Sequence, residues 1–158
     1  MRRLALLLTA VALVGCGGSS KNTTTNAAAP PGPGTTLYAG GDWAVVLDGD
    51  HATAFHRVAG TWKSDTSGAV KIRILAPDGN VAPTPQVAAE LSAKKPLIES
   101  GMWVDGKELL VKGGGLTSTK GTIYGAPDTP LAKGTHVAVA YARTDAHATA
   151  VAWSFRVV

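Results

Sequence analysis

Apolar residues recur at every second position along most of this chain, and that spacing constrains its fold more than any other feature. In the last segment Trp153, Phe155 and Val157 alternate with Ser154 and Arg156. A repeat of two is typical of a half-buried β-strand, because successive side chains of a strand point to opposite faces. No stretch follows the three-to-four-residue repeat of an amphipathic helix convincingly, so we predict an all-β protein.

Turn-forming dipeptides separate the alternating segments from Leu37 onwards. Asp48-Gly49 predicts a hairpin over 43–58, and Asp105-Gly106 predicts a second hairpin further along. Many short strands between such turns are typical of a β-sandwich or a barrel. The hydrophobic content of 45% argues against disorder of the chain as a whole.

The start of the chain has the parts of a secretory signal. Basic Arg2 and Arg3 precede an apolar run, 4–14, that is interrupted by Thr9 alone. This run is well short of the ~20 residues that a membrane-spanning helix needs. It leads into Leu13-Val14-Gly15-Cys16, which contains the single cysteine of the chain. The arrangement resembles the lipobox of bacterial lipoproteins.

That resemblance implies cleavage before Cys16, with 1–15 as the signal peptide and a lipid on the cysteine. The protein would be exported across the cytoplasmic membrane and lipid-anchored on its periplasmic or cell-surface side. The next segment, 16–36, is rich in Gly, Ser, Thr, Asn and Pro, which predicts a disordered linker. With Cys16 acylated no thiol remains for a disulfide, so the fold must depend on its core.

The distribution of charge argues against a nucleic-acid partner. Of the 15 Lys and Arg residues, Arg2 and Arg3 lie in the signal, which leaves 13 against 11 Asp and Glu. No stripe of Lys and Arg runs along the sequence, so we expect no binding to nucleic acid.

Motifs in the C-terminal half point to a particular kind of sandwich. Residues 130–136 read Pro-Leu-Ala-Lys-Gly-Thr-His and precede an alternating strand, an Asp-containing turn and Trp-Ser-Phe-Arg-Val at 153–157. With Val104-Asp105-Gly106, they resemble bacterial immunoglobulin-like domains of secreted and cell-surface proteins. The resemblance covers about residues 69–158 and implies an immunoglobulin-like β-sandwich in which His136 is a packed, hydrogen-bonded corner residue. Ala146-His147 departs from the Gly-Asn that is usual in the last turn of that family.

The sequence thus divides into four predicted regions. They are a signal peptide at 1–15, a lipidated cysteine with its linker at 16–36, an N-terminal β-hairpin segment at 37–65 and the sandwich at 66–158. The hairpin segment lies outside the resemblance. It could add strands to one sheet of the sandwich or pack against a sheet edge.

The motifs of common enzyme classes are missing from the sequence. There is no Gly-x-Ser-x-Gly and no His-Glu-x-x-His, and the glycines at 113–115 lack the Gly-Lys-Ser/Thr of a phosphate loop. Asp48-x-Asp50 begins like a calcium loop, but Ala52 occupies the next ligand position. We therefore predict no catalytic residues, no metal site and no cofactor.

Copper binding is one alternative function. Some periplasmic copper-resistance proteins of similar all-β fold have an Asp-x-His turn before the last strand, which Asp145-Ala146-His147 resembles. Those sites also use an N-terminal His and a free amine, whereas the mature chain here would begin with acylated Cys16.

Carbohydrate or cell-wall binding through exposed tryptophans is the other alternative. Trp103, Trp62 and Trp43 are the candidates for a ligand face, and Trp103 is the strongest because Met102 and Val104 beside it should point inward. The leading interpretation remains a membrane-anchored extracytoplasmic lipoprotein that acts as a non-enzymatic interaction or structural module. Its partner would be an unknown protein or glycan.

Overall fold

The computed structural model describes residues 33–114 and 118–158, and all regular structure in these residues is β-strand. The strands are β1 (Thr35–Gly40), β2 (Trp43–Asp48), β3 (His51–Val58), β4 (Thr61–Ser64), β5 (Val70–Ala76), β6 (Asn80–Val81), β7 (Val87–Ala93), β8 (Glu99–Val104), β9 (Lys107–Glu108), β10 (Lys112–Gly114), β11 (Lys120–Gly125), β12 (Gly134–Arg143) and β13 (Ala148–Val157). The predicted signal peptide, Cys16 and most of the predicted linker lie outside the described residues.

Strands β5 to β13 form two sheets with the strand order of an immunoglobulin-type sandwich. One sheet, which we call the distal sheet, has the order β10-β11-β7-β5, and the other, the middle sheet, has the order β6-β13-β12-β8-β9. This is the arrangement in which an A-B-E-D sheet faces a sheet built on strands C, F and G. The predicted class, an all-β sandwich-like fold, is therefore confirmed.

Strands β1 to β4 form a third sheet of their own, the N-terminal sheet, in the order β1-β2-β3-β4. Strands β2 and β3 pair from Trp43 with His56 to Asp48 with His51, which is the hairpin predicted over 43–58. Strand β1 begins at Thr35, so the linker prediction is wrong for Thr35 and Thr36, which pair with β2. The segment predicted as a simple hairpin thus contains four strands.

Strand β12 in the centre of the middle sheet is buried on both of its faces. Along β12, Ala138, Ala140 and Ala142 point into the core shared with the distal sheet, whereas Val139 and Tyr141 point into a second core shared with the N-terminal sheet. All five residues are at most 1% exposed. The three sheets therefore stack in the order N-terminal, middle, distal, with a separate hydrophobic core in each gap.

Local turn chemistry sets the register between β8 and β9 of the middle sheet. Trp103 pairs with Glu108 and Val104 with Lys107 across a two-residue turn. Its central residues, Asp105 and Gly106, have φ values of 49° and 79°. Two positive φ angles define the type I′ turn, which Asp-Gly adopts readily and which matches the twist of the flanking strands. The hairpin predicted from Asp105-Gly106 is confirmed.

Candidate functional site

The three candidate tryptophans do not share an exposed face. Trp103 and Trp43 are 3% and 6% exposed, and both lie in the core between the N-terminal and middle sheets. Trp62 lies on the opposite face of the N-terminal sheet, paired with Arg57, whose guanidinium is 5.5 Å from the ring centroid. The predicted ligand face is therefore wrong for Trp103 and Trp43, because neither ring can stack on a ligand while it is buried.

The error for Trp103 concerns what covers the ring and not where the ring points. Met102 and Val104 are buried in the sandwich core, as predicted, and Trp103 points to the other side of β8. The N-terminal sheet covers that side. A Cβ added to Gly101 would come within 2.6 Å of the Trp103 ring, so the indole fills the space above this glycine.

A polar cluster closes one end of the covered interface. The Tyr38 hydroxyl donates a hydrogen bond of 2.6 Å to Glu99 Oε1, and Arg143 Nε donates to Glu99 Oε2. The Arg143 guanidinium also lies 5.4 Å from the centroid of Trp43. Burial, reinforced by the neighbouring Glu99 carboxylate, raises the pKa of Tyr38 to about 12. These contacts join β1 and β2 of the N-terminal sheet to β8 and β12 of the middle sheet, so they hold the two sheets together.

His136 is a packed corner residue, as the resemblance implied. Its Nδ1 lies 2.6 Å from Asp105 Oδ2, and its Nε2 lies 2.8 Å from the carbonyl oxygen of Ala132. Both neighbours are hydrogen-bond acceptors, so the protonated ring can donate from both of its nitrogens. The Asp105 hydrogen bond, followed by the Ala132 carbonyl, raises the pKa of His136.

His147 has a structural partner on the segment that leaves the N-terminal sheet. Its Nδ1 lies 3.2 Å from Asp65 Oδ2, which also accepts a 2.8 Å hydrogen bond from the backbone N–H of Ala148. Burial alone would raise the pKa of Asp65, but hydrogen bonds from Ser67, Ala148 and His147 outweigh it and lower the pKa. His147 thus helps to fasten the last hairpin to the inter-sheet connection.

The remaining histidines lie elsewhere. His56 stacks on Trp43 with ring centroids 3.9 Å apart, and His51 is on the β2–β3 hairpin beside Asp50. Across 33–114 and 118–158, no three His, Cys, Asp or Glu side chains are close enough together to hold a metal ion. Among the described residues, therefore, no set of ligands supports the copper alternative, and the Asp145-Ala146-His147 turn is not part of one.

The outer face of the distal sheet carries a group of charges that we call the basic face. It comprises Lys71, Arg73, Lys112, Lys120 and Glu90. Antiparallel pairing places Lys112 beside Tyr124, Arg73 beside Glu90, and both Lys71 and Lys120 beside Ser92. Residues directly opposite each other on antiparallel strands share a face, so these side chains project together. Four cations against one carboxylate leave an excess of three positive charges.

Glu90 organises the centre of the basic face. It accepts hydrogen bonds from Arg73 and lies 3.8 Å from Lys120, and both cations are 67% exposed. The hydrogen bond from Arg73, assisted by the charges of Arg73 and Lys120, lowers the pKa of Glu90. Lys71 and Lys112 are also exposed. Glu90 thus positions Arg73 and Lys120. Lys71 and Lys112 lie on the two edge strands of the sheet, β5 and β10.

Tyr124 lies at one end of the basic face, in an open groove of about 380 Å³. Lys112, Leu110, Gln86 and Asp128 also line this groove. Tyr124 is 38% exposed, and Leu110, which lines the same groove, is 72% exposed. The groove therefore combines an accessible aromatic ring and an aliphatic side chain with polar and charged groups.

Sequence reasoning missed the basic face because its cations are brought together across strands. Lys71 and Arg73 lie on β5, Lys112 on β10 and Lys120 on β11. In the sheet β10 pairs with β11, and β7 lies between β11 and β5. A search for consecutive basic residues cannot detect such a group. The alternation of Lys71 and Arg73 with apolar neighbours was the one local signal.

Comparisons with protein-family models, with curated proteins and with solved structures gave no match to this chain. In the described part of the chain, no helix has the length and apolar character needed to span a membrane.

Proposed function

We propose that this chain is a membrane-anchored extracytoplasmic lipoprotein whose β-sandwich body acts as a non-enzymatic interaction module. The observation that carries the proposal is the contrast between the sheets. The central strands of the middle sheet, β8 and β12, are buried on both faces, whereas the distal sheet presents a basic outer face with an adjoining aromatic groove. A flat face with grouped charge and an accessible ring suits the binding of a large partner.

The anchor part of the proposal rests on the sequence motif at Cys16. Each buried acyl CH₂ contributes about 0.8 kcal/mol of membrane affinity, and stable anchoring takes two chains or more. Cys16 precedes the first strand, which begins at Thr35. Its replacement should therefore release the protein from the membrane without unfolding the sandwich.

Fractionation of cells that produce Cys16→Ser tests the anchor. The variant should leave the membrane pellet for the soluble extracytoplasmic fraction, while a control change nearby, Ser20→Ala, should remain membrane-bound. Both samples should keep a β-type circular dichroism spectrum. A Cys16→Ser protein that is exported, cleaved and still pellets with membranes after a high-salt wash would refute lipid anchoring.

Photo-crosslinking in intact cells tests the interaction surface. A crosslinkable residue in place of Thr122, which projects from the outer face of the distal sheet, should capture a partner. The same residue in place of Thr61, an exposed threonine on the N-terminal sheet, should not. Equal capture from the two positions would contradict a specific role for the distal sheet.

A further inference from the structure

We infer that the basic face and the Tyr124 groove together bind an acidic polysaccharide, a sugar chain with regularly spaced carboxylates. This inference deepens the proposed function and rests on it. It assigns the distal sheet a class of ligand that two of the predicted site residues, Trp103 and Trp43, cannot contact because they are buried.

Charge complementarity is the first argument. Lys71, Arg73, Lys112 and Lys120 lie on three of the four strands of the distal sheet, and Glu90 on the remaining strand, β7, is the acidic residue among them. Four strands at their usual separation span roughly 14 Å, so the cations are spread over an area about that wide. Spaced cations on a flat face suit an extended anionic polymer better than a compact anion.

The position of Tyr124 is the second argument. A Cβ added to Gly113 would come within 2.9 Å of the Tyr124 ring, so the ring lies against the backbone of the neighbouring edge strand β10. Its other neighbours across the sheet are small, since Tyr124 pairs with Ala88 and Ala88 pairs with Ala76. The ring is thus supported from one side and accessible from another, as stacking on a sugar requires.

Polar groups around the ring are the third argument. Thr84, Gln86 and Asp128 line the same groove as Tyr124 and Lys112. Hydroxyl, amide and carboxylate groups can hydrogen-bond to sugar hydroxyls, while Lys112 can pair with a sugar carboxylate. The groove therefore has the mixed donor and acceptor character that a carbohydrate ligand needs.

The layer order favours a polymer over the membrane surface. The chain that leads from Cys16 enters β1 in the N-terminal sheet, and the basic face lies on the far side of the distal sheet. Two inter-sheet spacings of about 10 Å separate these layers. The basic face thus points away from the layer through which the anchor segment enters.

Binding of a fluorescent oligogalacturonate to the full-length protein, purified from the producing cells in neutral detergent, tests the inference. The oligomer should bind with an affinity that falls as salt is added. The triple variant Lys71→Gln, Lys112→Gln, Lys120→Gln should bind at least about tenfold more weakly, which corresponds to a loss of about 1.4 kcal/mol.

A matched triple variant controls for net charge. Lys63→Gln, Lys133→Gln and Arg156→Gln remove the same number of exposed cations from outside the basic face. This protein should bind the oligomer like wild type. An equal loss in the two triple variants would show that binding follows net charge alone, and the inference would be wrong.

Substitutions at Tyr124 separate stacking from charge. Tyr124→Phe keeps the ring and should retain most of the affinity, whereas Tyr124→Ser should weaken binding several-fold. If both variants bind like wild type, the groove does not contact the sugar and the assignment fails.

Two further ligands distinguish other anions. Polyphosphate that binds as tightly as the oligogalacturonate, with no dependence on Tyr124, would identify a general polyanion site and overturn the assignment. Binding to vesicles of phosphatidylcholine and phosphatidylglycerol in place of the oligomer would make the basic face a membrane-contacting surface. If the oligomer fails to bind while Cys16→Ser still releases the protein from membranes, this inference falls and the proposed anchoring stands.

Discussion

Replacing Trp103 by alanine tests whether the N-terminal sheet is held to the middle sheet by a buried aromatic core. The indole is 3% exposed and packs in the core that also contains Trp43, Val45 and Tyr141. If the sheets are stacked in this way, the substitution removes a large apolar group from the centre of their interface. Alternation alone predicts the opposite, an exposed ring and a small loss.

The size of the effect follows from the buried area. A tryptophan buries roughly 150–250 Å², which at ~25 cal/mol per Å² corresponds to about 4–6 kcal/mol. Residual compactness of the unfolded chain lowers the area change by roughly 10–40%, which brings the free energy to about 3–5 kcal/mol. Truncation of buried aromatic residues in other proteins costs a similar amount. We therefore expect Trp103→Ala to lower the free energy of unfolding by about 3–5 kcal/mol.

Urea unfolding followed by far-ultraviolet circular dichroism measures this loss without relying on tryptophan fluorescence. Trp153→Ala is a useful comparison, because Trp153 is partly buried against the other core, between the middle and distal sheets. Its loss should be no larger than that of Trp103→Ala. A second readout, hydrogen exchange of the amides in β2 and β3, should show faster exchange in Trp103→Ala.

A small loss would refute the stacking of the N-terminal sheet. If Trp103→Ala lowers the free energy of unfolding by less than about 1 kcal/mol, the indole is not a core residue on the usual scale of buried aromatic truncations. Unchanged protection of β2 and β3 in the same variant would lead to the same conclusion.

Three further predictions concern the packing of Trp103 against Gly101, the pH dependence of stability due to His136, and the folding of residues 33–158 alone. Gly101→Ala should be strongly destabilising, because the new Cβ would lie 2.6 Å from the ring of Trp103, which cannot move into solvent; a urea midpoint equal to wild type would contradict this packing. His136 has a raised pKa in the folded state, so its contribution to stability is present at pH values below the ordinary histidine pKa and is lost as the pH rises through the raised value. Asp105→Asn should flatten this dependence in urea midpoints measured from acidic to basic pH, and an unchanged slope would argue against the pair. Residues 33–158 should fold as a β-rich monomer whose melting temperature does not respond to reductant, since the single cysteine of the chain is absent from this fragment; a helical or unfolded spectrum would refute the fold.

Local signals were sufficient for the elements of the sandwich. Asp105-Gly106 specifies a turn with two positive φ angles, and the structure has that turn. The corner at 130–136 leads into β12, and His136 is buried and hydrogen-bonded there. Turn type and strand periodicity depend on residues that are adjacent in the chain, so they can be inferred without tertiary information.

The burial of β12 shows where periodicity stops being informative. Its alanines and its larger residues, such as Val139 and Tyr141, are equally buried, because each set faces a different core. Alternation separates the two faces of a strand, but it does not say whether the second face meets solvent or another sheet. That depends on the N-terminal sheet, whose docking involves contacts distant in sequence such as Tyr38 with Glu99.

By itself, the amino-acid sequence determined the all-β class, the hairpins at 43–58 and at Asp105-Gly106, and the side of β8 to which Trp103 points. Only the tertiary structure decided that this side is covered, and that Lys71, Arg73, Lys112 and Lys120 form one face. The physical reason is that a strand's alternation and its turns are local properties of the chain. Burial of a face and the grouping of charges depend on which strands and sheets become neighbours, and that is settled by pairing and packing between distant segments.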